Sequence, residues 1–403
     1  MDAATVQRFL EGMKYEAGRT APPEGFPQFP DLPAGRYNDP AFLALENEYL
    51  WRRSWLYACH IDELSEAGRY LLWNKTGAPI LIVRGTDDVV RAFYNSCRHR
   101  GAPVVRDEQG KADGLVCGYH GWTYTLDGKL VNLRDRRDFV GLDPSCRSLI
   151  GVRCERFHNW IFINEDPAAQ PLLEYVAPFD AYFRQFQPEI FRFVAKEHFD
   201  VKCSVKVLLD AFLEVYHLKS IHQNTVDRFL DHRGTTIALY RNGHSLMVTP
   251  NRRPDWVDPG TRGMRHVETA TEISAKNNPS FCFFPNLVTP VDPSGAPFLL
   301  FWPTSAMTMR IECHWFAPDW GGGPPPELWQ TRIANFDRIL DEDLQFAAQI
   351  QESVMSRGFR GIPLNYQERR IYHWHEELDR RIGPERVPEA LRMKPLLARY
   401  YEN

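Results

Sequence analysis

The stretch CRHRGAPVVRDEQGKADGLVCGYHGW, residues 97–122, sets two thiol–imidazole pairs close together: Cys97 with His99, and Cys117 with His120. Thiolate and neutral imidazole both bind metals at neutral pH, so two loops of this kind can converge on one centre. A second set lies downstream. His217 and His222 close the segment DAFLEVYHLKSIH, and ANFDRILDEDLQFAAQIQESV further on is rich in carboxylates. Two histidines and one carboxylate form the facial triad that leaves positions on ferrous iron open to dioxygen.

Spacing leaves alternatives open at each set. Cys97, His99, Cys117 and His120 fit buried thiols with hydrogen-bonded imidazoles, or a structural zinc. They also fit a Rieske [2Fe–2S] centre, in which two thiolates hold one iron and two imidazoles the other. In that case Gly101, Gly118 and Gly121 let backbone amides approach the bridging sulfides, and Trp122 and Tyr124 exclude water from one side. Five helical steps from His217 to His222 turn about 140°, which separates the rings on a regular helix. Shared ligation requires the helix to loosen, bulge or end between them; otherwise they are two unrelated histidines. Further on, steps of three and four join Phe336, Leu340, Ala347, Ile350 and Val354 into an apolar stripe that includes Asp343. Asp341 and Glu342 fall toward the polar side. A carboxylate turned into a core needs a metal or another partner, and an arginine or a hydroxyl group also serves.

Short strands must hold the first set. From about residue 67, GRYLLWN, APILIVRG and VVRAFYNS alternate with period two, and Leu126-Asp-Gly-Lys129 marks a hairpin before RFHNWIFINED at 156–166. The second set falls on helices. Residues 205–222 contain no internal Gly or Pro and predict one helix, as do roughly 326–355 and 370–382. Between them TTIALY, HSLMVT, SFCFFPNLVT, FLLFWPTS and TMRIECHWFA read as strands, ended by PDWGGGPPP. Residues 1–20 and 41–55 predict two further helical segments. At 403 residues the chain is long for one core, so the expected fold is α+β: a small antiparallel β domain, then a larger domain with an antiparallel sheet flanked by helices.

Composition narrows the setting. A net charge of −4 without a long basic run argues against nucleic acid. No apolar run approaches the length of a membrane span, and the acidic N-terminus lacks the order of a signal peptide. Eight cysteines are too few for a disulfide framework; Cys59, Cys203, Cys282 and Cys313 sit among apolar residues as buried free thiols, and the cytoplasm is the expected compartment.

CRHRGAPV followed by CGYHGWTY resembles the Rieske motif of the ring-hydroxylating oxygenase large (alpha) subunits, the Rieske non-haem iron oxygenases. The resemblance extends over roughly residues 45–375 and favours iron–sulfur over zinc. It implies a helical segment at 1–46 that packs on the catalytic domain, a Rieske domain at 47–166 and a catalytic domain at 167–403. The cofactors it implies are one [2Fe–2S] cluster on Cys97, His99, Cys117 and His120, and one mononuclear Fe(II) on His217, His222 and Asp343. The family's acidic bridge between subunits falls at Glu214, where aspartate is commoner and glutamate occurs in some branches, including oxygenases of quaternary amines. Asp210, one turn before Glu214, is a candidate partner of His217. Two departures stand out: Asp210-Ala211-Phe212 lacks the asparagine often found in the family's E-N-F segment, and Val205 replaces the tryptophan before the helix lysine.

The family assembles as a cyclic trimer in which the cluster of one subunit faces the mononuclear iron of the next. The chain has no Gly-rich dinucleotide fingerprint, so NAD(P)H is expected to act only through a separate reductase, directly or by way of a ferredoxin. The implied activity is that of a terminal oxygenase, with O2 and a small apolar substrate, aromatic or polycyclic, undergoing mono- or cis-dihydroxylation. The alternatives are a monooxygenase or N-dealkylase of a quaternary amine and, from another class, a Rieske electron carrier without oxygenase activity. Residues 223–270 are expected to cover the catalytic mouth, and Phe212, Tyr240, Met247, Phe283 and Leu287 to shape the pocket.

Overall fold

The computed structural model describes residues 1–253, 256 and 259–402, so positions 254, 255, 257 and 258 of the expected mouth segment lie outside the described residues. The architecture is α+β with antiparallel sheets, in two compact units: Trp51–Tyr175, and Met1–Leu50 with Val176–Asn403.

The smaller unit carries a seven-stranded antiparallel sheet with Gly151–Phe157 and Val90–Tyr94 near its middle, and a three-stranded sheet of Leu115–Val116, Thr123–Tyr124 and Leu130–Asn132. Asp127-Gly128 closes the hairpin between the last two, with Gly128 in the left-handed region at φ 84°. Leu81, Val83, Phe93, Leu115, Trp122 and Tyr124 form much of the core. This unit runs beyond the expected boundary at 166 because the chain after Pro167 stays bound to it. Trp55 Nε1 donates to Gln170 O at 2.9 Å, and the Leu172 amide donates to a Glu155 carboxylate oxygen at 2.8 Å.

In the larger unit a seven-stranded antiparallel sheet runs in the order Phe191–Val201, Met309–Pro318, Ala296–Pro303, Leu287–Pro290, Asn277–Phe283, Ser245–Pro250, Thr236–Leu239. Both faces are covered, so its strands read as apolar runs rather than clean alternations. Register still separates the faces, since side chains alternate along each strand and directly paired residues share a side. Met247, Ser280 and Pro290 are paired across three strands, as are Val288 with Leu299 and Pro297 with Trp315, and all of them look onto one cavity. Phe281 and Phe283 point the other way and meet Phe179 and Phe183 at ring separations of 4.6–5.5 Å.

Helices Ala3–Gly18, Pro40–Tyr49, Leu328–Val354 and Arg369–Ile382 complete this unit. The predicted helix at 41–55 stops at Tyr49, and a 3-10 turn follows at Trp51–Arg53. The predicted helix at 205–222 is broken: Val205–Phe212 is helical, residues 213–217 are not, and a single turn resumes at Leu218–Ile221. On Leu328–Val354 the stripe keeps Leu340, Asp343, Ala347 and Val354 buried, but Ile350 is exposed. Gln351 is buried in its place and accepts a hydrogen bond from the Ser204 amide at 2.6 Å. Among the described residues no helix is long and apolar enough to cross a membrane.

Candidate active site

In the smaller unit the two Cys/His loops are built alike. The Cys97 amide donates to Ala102 O and the Gly101 amide to Cys97 O; the Cys117 amide donates to Trp122 O and the Gly121 amide to Cys117 O, all at 2.8–2.9 Å. Each loop closes on a glycine four residues after its cysteine, and Gly101 and Gly121 take φ of 77° and 71°, a conformation that favours glycine. The repeated turn brings the His99 and His120 rings to 4.5 Å and sets Trp122 flat against His99 at 5.0 Å. Both cysteines are buried. Tyr124 Oη lies 3.2 Å from Cys97 Sγ and accepts the Arg98 amide at 3.0 Å. Burial, with the Cys117 thiol beside it, holds the Cys97 thiol above its ordinary value, and His99 Nδ1 is buried with no hydrogen-bond partner among the described residues. Two crowded thiols and an orphaned ring nitrogen fit a mixed cysteine–histidine cluster.

In the larger unit the break after Phe212 makes the second set. Glu214 accepts the backbone amides of Tyr216 and His217 and also contacts His217 Nδ1. A side chain that takes these amides competes with the helical ladder, as capping residues do. The single turn after it then brings the His222 ring to 5.1 Å from His217. Ligand atoms of His217, His222 and Asp343 all lie within 4.8 Å of one another. Asp343 Oδ1 stands 3.3 Å from His222 Nε2 and 3.7 Å from His217 Nε2, buried and without a well-formed hydrogen bond among the described residues.

The outer ring nitrogens are held by two different glutamates. Glu214 takes His217, and Glu342 Oε2 lies 2.6 Å from His222 Nδ1 while also accepting the Thr225 hydroxyl at 2.6 Å. Burial opposes charge on both rings, yet the carboxylates outweigh it and raise each histidine above its ordinary value: Glu214 and Asp343 for His217, Asp343 and Glu342 for His222. A dication among the three inner atoms satisfies the same field, and two nitrogens plus one carboxylate suit ferrous iron.

Asp210 is not placed with this set. It sits in the last turn of Val205–Phe212 and accepts the Tyr37 hydroxyl at 2.5 Å, while Tyr37 Oη also lies 3.2 Å from His375 Nε2. Arg36 Nε donates to His375 Nδ1 at 3.0 Å, which leaves the proton of a neutral His375 on Nε2. Burial, opposed by the Tyr37 hydroxyl, pushes the Asp210 carboxyl up to about 7.

A cavity of about 520 Å³ opens beside His217, His222 and Asp343. Phe212 and Met247 line it as expected, and the 223–270 segment adds Val226, Phe229, Leu230, Asn251, Trp256 and Thr261. Phe229 and Trp256 stack there at 4.1 Å. Tyr240, Phe283 and Leu287 are not among the lining residues. Tyr240 bonds the Tyr182 hydroxyl at 2.8 Å, and Leu287 is paired with Phe283 on the far face of the sheet. Sequence reading missed Glu342 and Arg332. Glu342 follows Asp341 on the apparently polar side of its helix, and its adjacency to Asp343 was the available signal. Arg332 lines the cavity, whereas Arg310 pairs with Asp200 at an exposed position.

Residues 54–143 match the family described as Rieske [2Fe-2S] domain, and residues 189–384 match the ring hydroxylating alpha subunit (catalytic domain). The carnitine monooxygenase oxygenase subunit of Escherichia coli (strain K12) is 32% identical over 340 residues, covering 82% of this chain and 86% of that protein. A quaternary ammonium Rieske monooxygenase solved with L-carnitine superposes with a TM-score of 0.73 at 22% identity, over 90% of this chain and 99% of that one. Naphthalene 1,2-dioxygenase from Rhodococcus sp. gives 0.74 at 19% identity, over 96% and 100%. These two share the fold. With both domains matched in order, the chain belongs to the ring-hydroxylating oxygenase alpha-subunit family, as the oxygenase component of a Rieske non-haem iron system that uses a [2Fe–2S] cluster and a mononuclear iron and works with a reductase.

Proposed function

We propose that this protein is a monooxygenase of quaternary amines, which oxidises a carbon bound to the ammonium nitrogen. The observation that carries the reading is the 32% identity, over most of both chains, with a carnitine monooxygenase oxygenase subunit. The cavity supports it, since its wall holds Asn251, Asn277, Asn278 and Arg332 beside its apolar residues, a poor match for a flat hydrocarbon. The apolar aromatic substrate expected from the sequence therefore gives way to its alternative.

In this reading Cys97 and Cys117 hold one iron of the cluster, and His99 and His120 the other. His217, His222 and Asp343 hold the mononuclear iron, which when bound supplies open positions for dioxygen. Glu214 fixes the His217 ring and, in a homotrimer, would bridge the route by which the cluster of a neighbouring subunit supplies electrons to that iron; Glu342 fixes His222. Phe212, Val215, Leu218 and Met247 keep the reacting end of the substrate apolar and dry. Hydroxylation next to the positive nitrogen gives a carbinolamine that collapses to an aldehyde and a tertiary amine. A cytoplasmic setting, with electrons delivered by the reductase directly or through a ferredoxin, completes the proposal.

The test is turnover with reductase, NAD(P)H and isotopically labelled O2 on a panel of trimethylammonium compounds and aromatic hydrocarbons. Tertiary amine and aldehyde in equal amounts are expected, with a single labelled oxygen in the organic product when the aldehyde is reduced to the alcohol before its oxygen exchanges with water. Cis-diols from the hydrocarbons without amine release would refute the reading.

A further inference from the structure

Resting on the quaternary-amine reading, we infer that Thr249, Asn278, Ser280 and Ser274 form a subsite for an uncharged hydrogen-bonding group, a hydroxyl or a primary amide, on the tail of the substrate. The ligand class is then a monocation rather than a zwitterion. Sheet register gathers three of these residues on one patch of the cavity wall. Met247 is paired with Ser280, and the next pair on that face is Thr249 with Asn278. Paired side chains stand about 5 Å apart and successive ones on a face about 7 Å, so Thr249, Asn278 and Ser280 are neighbours. Helix Glu272–Lys276 runs directly into this strand at Asn277 and adds Ser274 to the same wall.

The patch starts beside the iron ligands. Met247 packs with Val215 and Leu218, which lie on either side of His217 in the chain, and that apolar end suits methyl groups on a cationic nitrogen. From there the wall offers hydrogen-bonding capacity that the protein leaves free. Ser274 Oγ is buried with no partner among the described residues. Thr249 Oγ1 accepts the Thr235 hydroxyl at 3.1 Å and keeps its own proton to donate. The Asn278 and Ser280 side chains have no hydrogen bond among the described residues. Three hydroxyls and an amide supply both donors and acceptors, which a hydroxyl or amide on the substrate uses and an apolar tail leaves dry and unpaired.

Charge disfavours a carboxylate tail. Among the described residues Arg332 is the one lysine or arginine on the cavity wall, and it is already neutralised. Its guanidinium contacts the Asp292 carboxylate and the Ser294 hydroxyl and lies 4.8 Å over the Trp329 ring, with a side-chain exposure of 11%. Asp292 lines the cavity as well, so an incoming carboxylate meets a like charge where it meets the guanidinium. The second anion would be buried without a cation of its own, which is costly. A hydroxyl or amide carries no such penalty, and a site built to hydrogen-bond a group rejects the analogue that lacks it.

The test measures binding of three compounds, (4-hydroxybutyl)-, (3-carboxypropyl)- and pentyltrimethylammonium, to the anaerobic, metal-loaded protein by titration calorimetry, without turnover. Wild type is expected to prefer the alcohol over each of the others by about tenfold or more. Asn278→Leu and Thr249→Val should each weaken the alcohol by about fivefold or more and the pentyl compound by less than about twofold. Asp292→Asn uncovers the Arg332 charge and should raise affinity for the carboxylate by about tenfold, with the alcohol within about twofold. Asn278→Leu and Thr249→Val leave the Arg332–Asp292 pair intact, so they decide the matter if Asp292→Asn fails to fold. Three results each overturn this inference alone: wild type binding the carboxylate or the pentyl compound as tightly as the alcohol, equal losses of alcohol and pentyl compound in the wall variants, or no gain of carboxylate by folded Asp292→Asn. Binding of none of the three compounds overturns it together with the quaternary-amine reading.

Discussion

Replacing Glu342 with alanine is expected to loosen the mononuclear iron while sparing the cluster. His222 is almost fully buried, and Glu342 is the group bonded to its outer nitrogen, at 2.6 Å. The same carboxylate is anchored by the Thr225 hydroxyl and sits beside Asp343 in the chain, so one helical turn presents both a ligand and the brace for another. Loss of an outer partner of a ligating histidine typically costs roughly 10- to 100-fold in metal affinity, or about 1.4–2.8 kcal/mol. Solvent reaches this carboxylate, with 25% of the side chain exposed, and screening places the expectation in the lower half of that range. Competition with a ferrous chelator, followed by separate iron and acid-labile sulfide analysis, measures the effect. Glu342→Gln retains an acceptor and should recover most of the affinity. Wild-type iron retention in Glu342→Ala, or parallel loss of iron and sulfide, would refute the reasoning.

Three other outcomes follow from the same geometry. Tyr124→Phe removes the hydroxyl beside Cys97 Sγ, and the loss of one hydrogen bond to the ligand sulfur should lower the cluster potential by on the order of 20–60 mV in a redox titration; an unchanged potential contradicts it. Asp210 keeps a proton in the folded state up to about pH 7 that the unfolded chain releases near pH 4, so wild-type stability should fall between those values by at most about 1.4 kcal/mol per unit. Asp210→Asn should flatten that slope in denaturant unfolding, and identical slopes would count against the buried proton. Phe283→Ala should cost about 3 kcal/mol or more in unfolding and leave KM within twofold, whereas Met247→Phe should shift KM among amines, because only Met247 faces the cavity. A reversed pattern would show the sheet faces to be misassigned.

The parts of the site that were legible in the sequence are those set by short-range spacing. Cys97, His99, Cys117 and His120 lie in two loops of one design, each closed by a glycine at positive φ. Asp343 was visible as a carboxylate inside an apolar stripe. The helix at 205–222 misled because propensity contains no term for Glu214 turning back on the amides of Tyr216 and His217. Phe283 misled for another reason: when both faces of a strand are buried, alternation yields two faces without saying which looks onto the cavity. Glu342, Arg332 and the Tyr37–Asp210 contact depend on partners far away in the chain, and no local pattern encodes them.

The central claim is that one chain holds two separable iron sites. Metal and sulfide analysis of anaerobically purified wild type and His217→Ala tests it directly. The wild type should contain about three irons and two sulfides per chain, and the variant should lose one iron while keeping both sulfides and the cluster's visible spectrum. Two irons in the wild type, unchanged in the variant, would contradict the account.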